Sequence, residues 1–425
     1  MEVKITPKRL IGRVSAPSSK SASHRVMIAA ALAGGVSELS GISSSKDIEA
    51  TAAAMTALGA NILCDDGLYT VMGIKTPAEK AAIDCCESGS TLRFIIPIAA
   101  ALGCECEFHG RGKLPERPIT TYIREFGKHG VTITREEGVM PFTMSGKLTG
   151  GEYELEGNIS SQFITGLLFA LPLCEESSTI RLTSRLESKP YVDMTVEALK
   201  LFGIEIGESE DENGFSIYTI KGGQKYKSTN CTVEGDYSQA AFFFAANALG
   251  SEVEIDNLNE NSIQGDKKIL EIIEKIGYNK NDGGLAHFTA DVSDIPDLVP
   301  ILTVLGCFTD GTSRIIGAER LKIKECDRLA AISAAMNSIG GKVKVCGDSL
   351  EIEPITKFCG GKIEGCNDHR IVMASAIAST MSDGEIIIKD AEAVQKSYPN
   401  FWEDFRSLGG TFEFISENDP KGMIL

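Results

Sequence analysis

Apolar residues recur along this chain in two alternating textures. In the first, a short polar loop runs into a stretch that is apolar nearly all round. Six such stretches occur: "SSKSASHRVMIAAAL", "ESGSTLRFIIPIAAAL", "NISSQFITGLLFAL", "GDYSQAAFFFAANAL", "SDIPDLVPILTVL" and "NDHRIVMASAIAS". A helix without a polar face belongs inside a domain, so the pattern predicts six buried helices. Each opens on Ser, Asp or Asn, whose side-chain oxygens cap helix N-termini. In the second texture a charged helical face ends on a hydrophobic residue, then Gly, then a β-rich segment. The charged helices are clearest in "GDKKILEIIEKIG" and "ECDRLAAISAAMNSIG". The junction falls at Leu58-Gly59, Phe126-Gly127, Phe202-Gly203, Ile276-Gly277, Ile339-Gly340 and Leu408-Gly409. A glycine just past a helix end takes the left-handed conformation that closes the last turn.

These glycines lie 68, 76, 74, 63 and 69 residues apart, so six periods fill the chain. A regular series at fixed period marks a repeat architecture. The repeat reads as strand, polar loop, buried helix, strand, amphipathic helix, Gly and two strands. The expected fold is α/β, with six units grouped three and three into two lobes. Helix N-termini with free N–H groups are ready anion sites, so converging N-termini in each lobe point to an anionic ligand.

At 425 residues the chain exceeds one ordinary core. Its 43% hydrophobic and 24% charged residues fit a globular protein. The formal net charge of −17 argues against a nucleic-acid partner, because phosphate backbones demand a basic face. No apolar run reaches the ~18 residues of a membrane span. The opening "MEVKITPKRLIGRV" alternates like a strand and has no signal-peptide apolar region, so a cytoplasmic location is expected. Twelve cysteines fall as Cys85-Cys86, Cys104-x-Cys106 and singles, with no C-x-x-C. With five histidines and no H-E-x-x-H, no zinc site is expected, and most thiols are expected reduced and buried. The P-loop, G-x-G-x-x-G after a strand, and G-x-S-x-G are all missing.

Basic residues instead recur at predicted helix starts: Lys20, Arg25, Arg93, Arg117, Lys324, Arg328, Arg370 and Lys396. A cation there opposes the helix dipole, so its repetition wants a reason. A doubly anionic ligand supplies one, since guanidinium forks bind carboxylate and phosphate in bidentate fashion.

"KSASHR", "SGSTLR", "ERP", "SSQF", "SKPYVDMT", "DIPD", "KECDRL", "NDHR" and "QKSYP", in this order, resemble the EPSP synthase (3-phosphoshikimate 1-carboxyvinyltransferase) family of enolpyruvyl transferases. The resemblance spans essentially the whole chain. It implies two similar lobes of the inside-out α/β barrel type, each of three βαβαββ units around buried helices. Residues 1–16 and 229–425 would form a discontinuous first lobe and 17–228 an inserted second one, with the active site in the cleft between them. It further implies transfer of the enolpyruvyl group of phosphoenolpyruvate to the 5-hydroxyl of shikimate 3-phosphate, releasing phosphate, with no cofactor and no metal. A monomer acting on these two small molecules is expected.

By motif position, Lys20, Ser21, Arg25, Ser160, Ser161, Gln162, Ser188, Tyr191, Asp297 and Lys324 would contact shikimate 3-phosphate. Phosphoenolpyruvate would lie against Lys20, Gly89, Arg117, Gln162, Arg328, Arg370 and Lys396. Asp297 and Glu325, with Lys20, match the family's proton-transfer groups, although Asp297 in "SDIPD" also reads as a plain helix cap. The two substrates bring about five to six negative charges. Lys20, Arg25, Arg117, Lys324, Arg328, Arg370 and Lys396 supply seven positive ones. Two departures from the family pattern stand out: Glu87 where many members have Asn, and Arg320 where some have Asn. The related transferase acting on UDP-N-acetylglucosamine carries a reactive Cys where this chain has Gly112. A catalytically silent anion-binding protein could dispense with Asp297 and Glu325, and both are present.

Overall fold

The structure is a computed structural model that describes residues 1–135, 140–277 and 284–415. The chain divides into two compact units, Ser18–Glu234 and Met1–Pro17 with Gly235–Leu425. Each has its own apolar core.

In Ser18–Glu234, three helices run through the core: Lys20–Leu32, Gly89–Leu102 and Ser161–Ala170. Around them lie three four-stranded sheets of one design. In the second, Lys80–Asp84 pairs in parallel with Glu105–His109, because the Gly89–Leu102 helix is the crossover that parallel neighbours need. Phe142–Gly146 and Val131–Arg135 then add antiparallel. The sheet of Gly151–Leu155, Ser178–Leu182, Ser216–Ile220 and Ile206–Glu210 repeats that order. So does the first sheet, which takes its edge strand, Cys231–Thr232, from the far end of the unit. Its hairpin turns at Asp66 and Gly67, φ 46 and 79, the paired positive values of a tight two-residue turn.

The other unit encloses Tyr237–Ala248, Val299–Gly306 and His369–Ala378. Two of its sheets share the same parallel–antiparallel–antiparallel order. In one of them Val3 faces Ile388 on one side and Phe414 on the other. The third is a two-stranded parallel pair, Ile11–Ser15 with Glu252–Asp256. The strand expected after Gly277 falls on residues 278–283, outside the described residues.

Two local readings need correction. Five of the six junction glycines have positive φ, but Gly127 sits at φ −59, and the left-handed turn comes three residues later at Gly130, φ 81. The second glycine of "GKHG" does the work assigned to the first. Five of the six buried helices carry the expected side-chain caps, from Ser19, Ser88, Ser160, Asp236 and Asp368. The sixth does not. A 3-10 turn, Pro296–Leu298, precedes Val299–Gly306, so Asp297 lies two residues before the helix and Leu298 takes the N-cap position without a side-chain cap.

All twelve cysteines are free thiols, and only five are buried, so the expectation that most are buried does not hold. No helix among the described residues is long and apolar enough to cross a membrane.

Candidate active site

In Ser18–Glu234 the three buried helices carry Lys20 and Ser21, Gly89, and Ser160 to Gln162 at their starts, while Arg117, Ser188 and Tyr191 come from other segments. Gly89 opens its helix, and a Cβ there would stand 2.2 Å from Arg117 Nη1 and 3.7 Å from Gln162 Oε1. The missing side chain is what lets the Arg117 guanidinium lie against the helix start. Gln162 is fixed from two directions: Arg93 Nη1 donates to its Oε1 at 2.7 Å, and its Nε2 donates to Ser90 Oγ at 3.0 Å. Arg93 also donates to the Pro118 carbonyl at 3.3 Å, beside Arg117, and packs its guanidinium over the Phe163 ring at 5.0 Å.

The helix pair behind them is locked by a proline. Pro97 has no N–H, so the carbonyl of Arg93, four residues earlier, loses its helical donor. The buried Tyr122 hydroxyl donates to it instead, at 2.7 Å. Gly166 comes so close that a Cβ would lie 2.4 Å from the same oxygen. That approach sets Gln162 beside Gly89.

Lys20 begins its helix with Nζ 2.9 Å from Asp47 Oδ2. Arg25 is buried one turn on, and its fork turns inward. Nε donates to Thr195 Oγ1 at 2.9 Å, Nη1 to the Ser21 carbonyl at 2.6 Å and Nη2 to the Tyr191 carbonyl at 2.7 Å. Arg25 thereby braces the Lys20–Leu32 helix against Lys189–Leu201, and burial pushes it down to about 10. Ser188, just before the latter helix, holds a left-handed backbone at φ 56, a conformation costly for a side-chain-bearing residue.

The second unit is organised around one guanidinium. Arg328 is 1% exposed. Its Nε donates to Asp368 Oδ2 at 2.7 Å, Nη1 to Asp297 Oδ1 at 2.8 Å and Nη2 to Glu325 Oε2 at 2.6 Å. Arg370 grips the other face of Asp297, Nη2 to Oδ2 at 2.9 Å. Lys324 Nζ stands 3.9 Å from Asp297 Oδ1, and Lys396 Nζ donates to the Asn367 carbonyl at 2.7 Å.

Electrostatics follow from this packing. Burial alone would raise the Asp297 carboxyl, but Arg370, Lys324 and Arg328 outweigh it and hold the group well below the usual range. Burial draws the Lys324 ammonium down to about 8, against the opposing pull of Asp297. Burial, then the nearby charge of Asp297, pushes Asp266 up to about 7. Asp297 is therefore ionised at neutral pH, next to an ammonium that gives up its proton only slightly above it.

The charge count made from sequence alone needs revision. Four carboxylates are bonded to the seven counted cations: Asp47 to Lys20, and Asp297, Glu325 and Asp368 to Arg328. The set as a whole carries about three positive charges, so ligand anions share these cations with protein carboxylates. Sequence reasoning passed over Asp47 and Asp368, which hold Lys20 and Arg328 in place. The signal for Asp368 was present in "NDHR", where the Asp preceding a cation-bearing helix start does double duty. It caps the helix by accepting from Arg370 N at 2.9 Å, and it also binds a cation 40 residues away. Of the two departures, Glu87 occupies the space a side chain at Gly112 would need, and Arg320 donates to the Ser293 carbonyl.

Comparison with known proteins gives a consistent result. The sequence profile of the family described as EPSP synthase (3-phosphoshikimate 1-carboxyvinyltransferase) matches residues 5–405. The 3-phosphoshikimate 1-carboxyvinyltransferase of Clostridium beijerinckii is 45% identical, over 97% of this chain and 98% of that protein. The enzyme of the same name from Clostridioides difficile is 43% identical over the same shares. Among solved structures, EPSP synthase from Acinetobacter baumannii matches with a TM-score of 0.80 at 26% identity, covering 97% of this chain and 99% of that one.

Proposed function

The chain belongs to the EPSP synthase (3-phosphoshikimate 1-carboxyvinyltransferase) family, and from that premise we propose how its residues divide the work. The reaction transfers the enolpyruvyl group of phosphoenolpyruvate to the 5-hydroxyl of shikimate 3-phosphate and releases phosphate, a step toward the aromatic amino acids. Lys20, Gly89, Arg117, Gln162, Arg328, Arg370 and Lys396 hold phosphoenolpyruvate. Shikimate 3-phosphate takes Lys20, Ser21, Ser160, Ser161, Gln162, Ser188, Tyr191, Asp297 and Lys324. Arg25 joins that set, with N–H groups to spare beyond its bonds to Thr195 and to the Ser21 and Tyr191 carbonyls.

The observation that carries this reading is the Arg328 cluster. One buried guanidinium bonds both Asp297 and Glu325. A base must take the proton of the attacking hydroxyl, and an acid must protonate the methylene carbon. Asp297 is ionised and can take the first role once ligand anions draw on the three cations that otherwise weaken it as a base. The candidates for the second are Glu325, oriented by Arg328 and able to give a proton only after taking one up, and Lys20, whose ammonium already carries one. The finer architecture we propose is two lobes of three βαβαββ units each. The shared strand order of five sheets and the three buried helices in each unit support it.

Gly112 weighs against the UDP-N-acetylglucosamine alternative. It sits at φ 60, where a cysteine is strained, and a Cβ would meet Glu87 Cδ at 2.7 Å. The test is phosphate release from phosphoenolpyruvate on adding shikimate 3-phosphate, with UDP-N-acetylglucosamine as the parallel acceptor. Release with the first acceptor alone is expected. Release only with the second, or with neither, overturns the proposal.

A further inference from the structure

Behind Lys20 and Gly89, a chain of buried hydroxyl groups joins three helices. Thr51, in the Lys46–Ala57 helix, is fully buried, as are Thr91 and Ser88, and His24 is 1% exposed. Thr51 Oγ1 lies 2.8 Å from His24 Nδ1, in the helix that Lys20 begins. It also lies 2.7 Å from Thr91 Oγ1, in the helix that Gly89 begins. Thr91 Oγ1 continues the chain to Ser88 Oγ at 2.8 Å and to the Asp47 carbonyl at 3.3 Å. Ser88 caps the Gly89 helix by accepting from Thr91 N at 3.1 Å, and Asp47 is the partner of Lys20.

The proton inventory runs one way along this chain. The Asp47 carbonyl only accepts, so the Thr91 hydroxyl donates toward it and toward Ser88, and Thr51 donates to Thr91. The Thr51 oxygen then accepts from His24 Nδ1–H. This leaves the imidazole neutral, with its Nε2 lone pair, which has no hydrogen-bond partner, buried beside the edge-on Phe94 ring at 6.2 Å. Burial, aided by the Lys20 and Arg25 charges, lowers the His24 pKa and keeps it in that form. No member of the chain titrates near neutrality, so it works as a fixed strut.

We propose that Thr51 is a positioning residue for phosphoenolpyruvate: its hydroxyl ties the helix bearing Lys20 to the helix start formed by Ser88 and Gly89, and so sets the spacing between the ammonium and the anion-binding N-terminus. The inference rests on the assignment of Lys20 and Gly89 to that substrate. Lys20 also serves shikimate 3-phosphate, but that substrate keeps Ser160, Ser161, Ser188, Tyr191 and Lys324, none of which bonds to the chain, so its affinity depends on the strut far less than that of phosphoenolpyruvate. A strut that fails displaces two anion contacts by fractions of an ångström, and displacement on that scale is costly to a reaction that depends on orientation.

The experiment compares Thr51→Val, which keeps the shape and removes the hydroxyl, with Thr51→Ser, which restores it. Thr91→Val cuts the same chain from the other helix. Steady-state kinetics with each substrate are combined with calorimetric titration of shikimate 3-phosphate alone. Both valine variants are expected to raise KM for phosphoenolpyruvate about tenfold or more. Shikimate 3-phosphate affinity should stay within twofold, and Thr51→Ser should lie near wild type. A folded Thr51→Val or Thr91→Val enzyme with unchanged KM overturns the inference, as does a variant that loses affinity for both substrates equally. Wild-type turnover in the same assay separates the outcomes: without it the functional assignment fails, and with it the fault lies with Thr51.

Discussion

Replacing Asp368 with Asn tests whether buried carboxylates hold the cations in place. Asp368 is fully buried; its Oδ2 takes Arg328 Nε at 2.7 Å and its Oδ1 takes Arg370 N at 2.9 Å. The Arg328 side chain is 2% exposed. Removing one partner of a buried pair costs about 3–5 kcal/mol. Here Asp297 and Glu325 still contact the guanidinium, which moves the expectation to the low end. Asparagine can keep the cap only by turning its NH₂ toward Arg328 Nε–H, donor against donor. The opposite orientation keeps a bond to Arg328 and loses the cap, worth ~1 kcal/mol. In both orientations the buried guanidinium also loses a charged partner, and the total loss is about 3 kcal/mol. For a unit of this size that lowers Tm by roughly 6–12 °C. Differential scanning calorimetry reads the shift, and steady-state kinetics should show a raised KM for phosphoenolpyruvate as Arg328 loses its orientation. A Tm within 2 °C of wild type together with an unchanged KM refutes the reasoning.

Three further outcomes follow from the geometry. Lys324, drawn down to about 8, is cationic below that pH and loses its charge as pH rises through it, so kcat/KM for shikimate 3-phosphate should fall above pH 8. Lys324→Arg, which stays charged, should flatten this limb, and an unchanged limb in that variant assigns it elsewhere. Gly89→Ala places a Cβ within 2.2 Å of Arg117 Nη1, so KM for phosphoenolpyruvate should rise about tenfold with little change in shikimate 3-phosphate binding; equal loss of both contradicts the placement. Tyr122→Phe strips the Arg93 carbonyl of the donor that replaces the Pro97 N–H, and denaturant unfolding should show a loss of about 1–3 kcal/mol.

The helices, their burial and five of six caps were legible in the sequence because each rests on local pattern. "DIPD" shows where local pattern stops. An Asp before an apolar run reads as a cap, yet the Pro296 turn moves the helix start past it and leaves the carboxylate to Arg328 and Arg370, 31 and 73 residues away. Asp47 and Asp368 were missed for the same reason. Their partners, Lys20 and Arg328, lie 27 and 40 residues off, and nothing in sequence spacing pairs them. The sequence therefore showed the cations but not the carboxylates that partly neutralise them. Gly127 erred by three residues because "GKHG" offers two glycines, and only the chain path selects Gly130.

Glu325→Gln tests the proton-transfer assignment most directly. Glutamine retains an oxygen to accept from Arg328 Nη2, so that bond stays while the ionisable carboxyl and its charge go. The measurement is kcat on the folded variant, with shikimate 3-phosphate affinity titrated separately. The account predicts a fall in kcat of ~10²–10⁴-fold at unchanged affinity. A near wild-type kcat would contradict it and leave Glu325 as a charge that merely steadies Arg328.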